Sequence, residues 1–127
     1  MALIPTLKLF GHLGHIAAIQ KQVADYALAG GQILFGTDVG FLPDTNPAAE
    51  YALMAGAGLD WRAVLASLTT APAERFGESG RRGRVAAGLD ADLVVLGADP
   101  ATDPAAFAKV RHTIRGGQVV FSAKAAP

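Results

Sequence analysis

The chain has 127 residues, of which 51% are hydrophobic and 17% charged, so it is long enough to bury a core and too apolar to be a disordered segment. Eleven basic residues balance eleven acidic ones, and this balance favours neither nucleic acid nor an anionic membrane surface as a partner. Cysteine is absent, which excludes disulfides, thiolate metal ligands and thiol nucleophiles.

The amino-terminal residues do not have the features of a targeting segment. Residues 1–10 are apolar but short, and Pro5 and Lys8 interrupt them. No run in the sequence approaches the roughly 18 apolar residues of a membrane helix. We therefore expect a cytoplasmic protein without membrane contact.

The first third of the sequence predicts a strand, a helix and a second strand. Residues 3–10 are apolar enough for a strand, although proline is unfavourable in a strand interior, and residues 11–15 predict a loop. Apolar residues recur at helical spacing over residues 16–29, and two glycines then end that helix. Residues 33–37 are almost all apolar, as expected for a strand covered on both faces. This order is typical of a βαβ unit with parallel strands.

Helices and then a connector are predicted in the middle of the chain. Asn46 followed by Pro47 begins a helix, and Asp60 is a typical helix N-cap. The predicted helices cover residues 48–55, 61–68 and 70–77, and the polar connector, with three arginines, covers residues 79–84.

From residue 85 onward the pattern indicates β-structure. Strands are predicted over residues 93–96, 110–115 and 118–121. Gly116 and Gly117 form a two-residue connection suited to a hairpin between the last two strands. Residues 123–127 are expected to be a frayed tail.

Asp38 is the first candidate for a catalytic or metal-binding residue. It follows the apolar segment 33–37 and precedes a loop, and α/β enzymes place reactive groups at the carboxyl ends of such strands. A carboxylate there can bind a divalent metal through oxygen or accept a proton during hydrolysis. It can equally cap its own loop by accepting backbone N–H groups, as loop aspartates commonly do. The local pattern leaves both roles open.

Several short motifs occur in an order that extends over nearly the whole chain. They are Gly36-Thr37-Asp38-Val39-Gly40, Glu50, Leu53-Met54, Ala57-Gly58-Leu59, the run from Ser67 to Ala73, the run from Gly88 to Leu96, and Ile114-Arg115-Gly116-Gly117. In order and spacing they resemble the C-terminal part of the metal-dependent amidohydrolase superfamily. The most similar branch is that of the imidazolonepropionase-like and Xaa-Pro-dipeptidase-like members.

The resemblance implies an α/β fold, namely the C-terminal part of a (β/α)8 TIM barrel followed by the C-terminal strands of a small β-sandwich. Residues 1–78 would supply the last two βα units of the barrel, residues 79–84 the connector and residues 85–122 the sandwich segment. Residues 3–9 and 33–37 would be the seventh and eighth barrel strands.

The same resemblance implies the chemistry. Asp38 matches the strand-eight aspartate of the family, which contacts a divalent metal, zinc by expectation, and shuttles the proton of the hydrolytic water. Thr6 and Phe41, the latter in the loop 39–45, would face the substrate. The implied activity is metal-dependent hydrolysis of a carbon–nitrogen bond in an amide, a cyclic amide or a dipeptide.

The family's other metal ligands have no counterpart in this sequence. They are a His-x-His pair, a bridging lysine and two further histidines on earlier strands, and His12 and His15 have neither the spacing nor the position to replace them. We therefore expect an incomplete C-terminal portion that is inactive alone and either lacks an N-terminal portion or forms a homo-oligomer. The competing hypothesis is a non-catalytic α/β module that self-associates or complements a partner chain. A third is a site formed between chains, to which both histidines contribute.

Structural roles are expected for the other polar residues that stand out. His112 belongs to an alternating strand and is expected to be packed or half-buried. A solvated connector explains the arginines at 81, 82 and 84, and a turn before a strand explains the aspartates at 90 and 92.

Overall fold

A computed structural model of the chain describes residues 1–124 as a mixed α/β structure. Its helices are α1 (Leu7–His12), α2 (Ile16–Leu28), α3 (Ala48–Gly56), α4 (Trp61–Leu68) and α5 (Thr70–Arg75), with a 3₁₀-helix at Pro104–Ala108. Its strands are β1 (Ala2–Leu3), β2 (Gln32–Ile33), β3 (Leu93–Leu96), β4 (Val110–Arg115) and β5 (Gln118–Ser122). No helix within residues 1–124 is long and apolar enough to cross a membrane.

Most of the predicted elements are confirmed. Helices α2, α3 and α4 and strands β3, β4 and β5 occupy the predicted ranges to within one residue at each end, and residues 79–84 contain neither helix nor strand. Asp60 caps α4 as expected, because its carboxylate accepts the amide of Ala63 at 2.8 Å. Of the predicted tail, residues 125–127 lie outside the described residues.

The two strands of the first half form the predicted parallel pair. Ala2 lies opposite Gln32 and Leu3 opposite Ile33, and the amide of Leu34 donates to the carbonyl oxygen of Leu3 at 2.9 Å. Helix α2 lies between β1 and β2 in the chain, so the three elements make a βαβ unit. Both strands are shorter than predicted. β2 ends at Ile33 rather than residue 37, and the amide of Phe35 already donates to Ser67 of α4.

The prediction of a strand over residues 3–10 is wrong beyond Leu3. Pro5 has no N–H to donate to a strand ladder, and the chain turns at Thr6 into α1. The first amides of α1 donate to the carboxylate of Glu50, which lies more than forty residues further along the chain. This tertiary cap allows a six-residue helix to begin where the apolar pattern alone predicts a strand.

The core forms where the helices of the first half contact the 3₁₀-helix of the second half. Its fully buried side chains include Leu7, Val23, Met54 and Val64. Tyr51 of α3 stacks on the ring of Phe35 with 4.7 Å between centroids and lies 5.4 Å from the ring of Phe107. Phe107 belongs to the 3₁₀-helix, which the sequence pattern did not predict. The two halves of the chain therefore share one aromatic cluster.

The second half contains a three-stranded antiparallel sheet in the order β3-β4-β5. The turn between β4 and β5 has φ angles of 56° at Gly116 and 79° at Gly117, as the predicted tight hairpin requires. The expectation that His112 is packed or half-buried is wrong. The pairing register shifts on both sides of β4 and breaks the alternation, so His112 is exposed and its Nδ1 lies 3.0 Å from the hydroxyl of Ser122.

A substitution in the core tests this packing. Met54→Ala should lower the free energy of unfolding by about 2–5 kcal/mol, because it leaves a cavity around a side chain with no exposed surface. Leu28→Ala is the matched control, since Leu28 is 87% exposed at the end of α2, and it should change stability by no more than about 0.5 kcal/mol. Urea denaturation measures both, and equal effects would contradict the described core.

Candidate functional site

Thr6 and Asp38 lie past the carboxyl ends of the paired parallel strands β1 and β2. They are the only non-glycine residues with positive φ within residues 1–124, at 43° and 55°. Gly36, two residues before Asp38 in the chain, packs close to the segment that carries Thr6, because a side chain on Gly36 would overlap Ile4 and come within van der Waals contact of the Thr6 methyl group. The structure therefore brings the two predicted site residues to the same edge of the sheet. Left-handed backbone costs energy, most of all for β-branched threonine, and such residues cluster at functional sites.

The carboxylate of Asp38 makes no hydrogen bond to any group in residues 1–124 and is exposed to solvent. The loop is instead closed by the backbone oxygen of Asp38, which accepts the amides of Phe41 at 3.1 Å and Leu42 at 3.3 Å. The left-handed conformation of Asp38 turns the chain so that these two amides can reach that oxygen. Loop capping by the carboxylate, the alternative that the sequence left open, is thus not what the structure shows.

The loop after Asp38 is anchored by one buried residue and presents several apolar ones. Leu42 is buried, whereas Phe41 is 75% exposed and Val39 is 54% exposed. An exposed phenylalanine three residues after Asp38 provides apolar surface that a ligand can cover. The substrate contacts assigned to Thr6 and Phe41 remain predictions.

Lys8 connects this loop to the segment that follows β1. Its ammonium group donates to the carboxylate of Asp44 and, at 3.3 Å, to the carbonyl oxygen of Asn46. The Lys8 ammonium and then the Asn46 amide hold the pKa of the Asp44 carboxyl below its ordinary value of 3.8. Asn46 in turn accepts the amide of Ala48 at 2.9 Å and so caps the start of α3.

Glu50, in the first turn of α3, is a buried carboxylate bonded to the segment that follows β1. Its Oε1 accepts the amide of Leu7 and its Oε2 accepts the amide of Lys8, each at 2.7 Å, and the residue has no exposed surface. Burial raises the pKa of the Glu50 carboxyl, while the two amides and the Lys8 ammonium oppose that shift. In the sequence Glu50 stands out only as part of a motif. The available signal was a glutamate in the first turn of a strongly apolar helix.

The two histidines of the first half do not join Asp38 in a metal site. His12 ends α1 and His15 precedes α2, and both are exposed. Within the described residues no group of three or more His, Cys, Asp or Glu side chains could hold a metal ion. A catalytic zinc is usually bound by three protein ligands, so the residues of this chain do not fit the metal on their own. Asp38 supplies at most one ligand.

The charged residues near the connector form an ion-pair network rather than a catalytic set. Arg81 and Arg82 both donate to Oδ2 of Asp90, at 3.0 and 3.1 Å, and Arg82 also lies 3.3 Å from Glu78. Oδ1 of Asp92 accepts the amide of Gly116 at 2.9 Å and so ties the hairpin turn to the start of β3. These contacts agree with the structural roles expected for this region.

The match to a known family covers most of the chain and includes both Asp38 and Glu50. Residues 21–121 match the profile of the Amidohydrolase family. The chain therefore belongs to the amidohydrolase family. A curated relative, the amidohydrolase tasK of Hapsidospora irregularis, is 54% identical over 43 residues, which are 34% of this chain and 4% of that protein.

Solved amidohydrolase structures share the fold of this chain. A Xaa-Pro dipeptidase with bound methionine superposes with a TM-score of 0.74 at 24% identity over 83% of this chain. A prolidase complexed with N-methylphosphonate-L-proline superposes with a TM-score of 0.72 at 30% identity over 82% of this chain. In both cases the chain spans 26% of the solved structure's length.

The contact between Lys8 and Asp44 can be tested by titration. Lys8→Met should raise the pKa of Asp44 toward 3.8, because it removes the largest cause of the lowered pKa. The depressed pKa means that this contact contributes stability above about pH 3.8, and that the contribution is lost as the pH falls through the folded-state value. Carboxyl 13C NMR measures the titration.

Lys21→Met provides the matched control for this titration. Lys21 is an exposed lysine of α2 that pairs with Asp25, so its removal should leave the titration of Asp44 unchanged. If Lys8→Met also left the titration unchanged, the loop 38–46 would not be held by Lys8.

Proposed function

We propose that this chain is the C-terminal portion of a metal-dependent hydrolase that acts on carbon–nitrogen bonds in amides, cyclic amides or dipeptides. The observation that carries this proposal is the unbonded carboxylate of Asp38, which like Thr6 follows the carboxyl end of one of two paired parallel strands, in a chain of the amidohydrolase family. The proposed enzyme is larger than this chain, which spans about a quarter of the solved structures that it matches.

The proposed architecture assigns three parts to the chain. Residues 1–78 supply the last two βα units of a (β/α)8 barrel, residues 79–84 are the connector, and residues 85–122 belong to a small β-sandwich. The parallel pairing of β1 and β2 supports the first part, because a barrel of this type is built from parallel strands with intervening helices. The antiparallel β3-β4-β5 sheet supports the last part.

In this proposal Asp38 is both a metal ligand and the catalytic proton acceptor. Hydrolysis adds the hydroxyl of water to the carbonyl carbon and a proton to the leaving nitrogen. An exposed carboxylate without a hydrogen-bond partner in residues 1–124 is available to take the proton from water and to return it to the nitrogen. A divalent metal, zinc by expectation, would supply electrostatic stabilisation, and its other ligands have to come from outside this chain.

The substrate side of the proposal concerns Thr6 and Phe41. Thr6 lies on the same edge as Asp38, and Phe41 presents an exposed aromatic ring from the following loop. The 30% identical prolidase binds a proline analogue, which favours a dipeptide over the other amide classes. An aromatic surface next to the reactive carboxylate is suited to the apolar face of such a ligand.

The competing proposal is a non-catalytic module that self-associates or complements a partner chain. All of β5 is exposed, and three consecutive apolar residues of that strand, Val119, Val120 and Phe121, are each at least half exposed. An unpaired apolar edge strand tends to pair with another chain. A groove of about 710 Å³ between α4, α5 and the sheet is also mostly apolar and open.

A chimera tests the catalytic proposal. The chain replaces the matched C-terminal part of the 30% identical prolidase, and hydrolysis of a Xaa-Pro dipeptide is measured with and without added zinc. Asp38→Asn should lower kcat/KM by about 10²–10⁴-fold, because it removes the proton acceptor. Asp25→Asn, which changes an exposed aspartate on α2, should retain the activity of the parent chimera.

The chain expressed alone is the second part of this test. It should show no metal-dependent turnover, since the described residues supply too few metal ligands. Turnover by the isolated chain would contradict the proposed incomplete site. A folded, metal-loaded chimera without activity, together with self-association of the isolated chain in sedimentation velocity, would favour the non-catalytic module.

A further inference from the structure

We propose that Glu50 is a positioning residue that locks the segment Thr6–Lys8 to the loop 38–46 and so fixes the spacing between Thr6 and Asp38. The inference rests on the proposed function in one respect, namely that the edge carrying these two residues is the reactive one. Glu50 itself has no exposed surface and cannot touch a substrate.

The Glu50 carboxylate bonds two amides at once. Each oxygen accepts one amide, Oε1 from Leu7 and Oε2 from Lys8, and both distances are 2.7 Å. These are short hydrogen bonds to an acidic side chain, and the donors are consecutive amides at the start of α1. A carboxylate can accept both amides at once, whereas a glutamine side chain would direct its own N–H groups at one of them.

Thr6 is the residue directly before the two amides. Thr6 occupies the N-cap position of α1, but its side chain makes no capping hydrogen bond and its φ is 43°. Left-handed backbone persists at a β-branched residue only where the surroundings hold it in place. The two hydrogen bonds to Glu50 hold the amides that follow Thr6, so they replace the missing cap and fix the turn.

Lys8 links the turn at Thr6 to the loop that carries Asp38. Lys8 binds Glu50 through its amide and binds Asp44 through its ammonium group. Asp44 lies in the loop 38–46, and Glu50 lies in the first turn of the helix that follows this loop. The loop is therefore attached to the Thr6–Lys8 segment at Asp44 and Asn46 within it and at Glu50 beyond its end.

Burial of the Glu50 carboxylate carries a desolvation cost. A carboxylate without exposed surface loses its hydration, and only its partners make such burial tolerable. The partners here all belong to one short segment, since Leu7 and Lys8 supply both amides and Lys8 also supplies the nearest cation. An apolar side chain would fill the same space but would leave both amides without acceptors.

NMR spectroscopy of the 15N-labelled full chain tests the proposal directly. Glu50→Gln should move the amide resonances of Leu7 and Lys8 upfield and should also move those of Thr6 and the loop 38–44, while α4 and α5 keep their shifts. Glu74→Gln, an exposed glutamate on α5, is the matched control and should move none of the resonances of Thr6 and the loop. Shifts confined to Leu7 and Lys8 would overturn the positioning role.

A titration of the unmodified chain keeps the test valid if Glu50→Gln does not fold. Burial raises the pKa of Glu50 above its ordinary value of 4.5, so protonation is reached on lowering the pH from neutrality. The Thr6, Leu7 and Lys8 amides should titrate together with the Glu50 carboxyl. Asp44, whose pKa is lowered, is followed separately. A Thr6 amide that does not follow Glu50 would overturn the proposal.

The chimera separates failure of this inference from failure of the proposed function. Glu50→Gln should lower kcat per folded molecule by about 10- to 100-fold, because displaced catalytic groups react more slowly, and Glu74→Gln should not. An active chimera that keeps its kcat with Glu50→Gln would overturn the positioning role alone. An inactive parent chimera with the expected NMR shifts would overturn the proposed function alone.

Discussion

Two hydrogen bonds from consecutive amides, those of Leu7 and Lys8, to one buried carboxylate determine how the first half of this chain is arranged. Because Glu50 accepts them, the chain can leave β1 and begin a short helix within a few residues. The same carboxylate attaches the helix after the second strand to the segment after the first. The two hydrogen bonds offset the cost of burying the carboxylate, and the segments that follow the carboxyl ends of the parallel strands are thereby tied together.

The family assignment and the exposed surfaces of the chain agree with each other. A parallel pair of two-residue strands and a three-stranded sheet with a fully exposed last strand leave backbone edges that a complete fold would cover. The chain spans about a quarter of the solved amidohydrolases that it matches. For this reason Asp38 is proposed as one member of a larger set of groups rather than as a complete site.

Local sequence patterns predicted the elements that are held by interactions between residues close together in the sequence. Helix α4 begins at its aspartate cap and the β4–β5 turn forms at its two glycines, as the sequence indicated. The prediction of a strand over residues 3–10 was wrong because the conformation of this segment depends on Glu50. That partner lies more than forty residues away, and no local periodicity indicates it. His112 was misjudged because register shifts interrupt the alternation of its strand. Asp38 was assigned to the site from its position after an apolar segment, and that assignment stays a prediction, whereas Glu50 had no comparable signal.

Amide hydrogen exchange at Leu7 and Lys8 tests the central claim most directly. If the buried carboxylate of Glu50 holds the two strand-end segments together, both amides should exchange as slowly as the amides in the interior of α3, although they lie in the first turn of a six-residue helix. Exchange of these two amides as fast as that of solvent-exposed loop amides would contradict the account, because neither segment would then be fixed relative to the other.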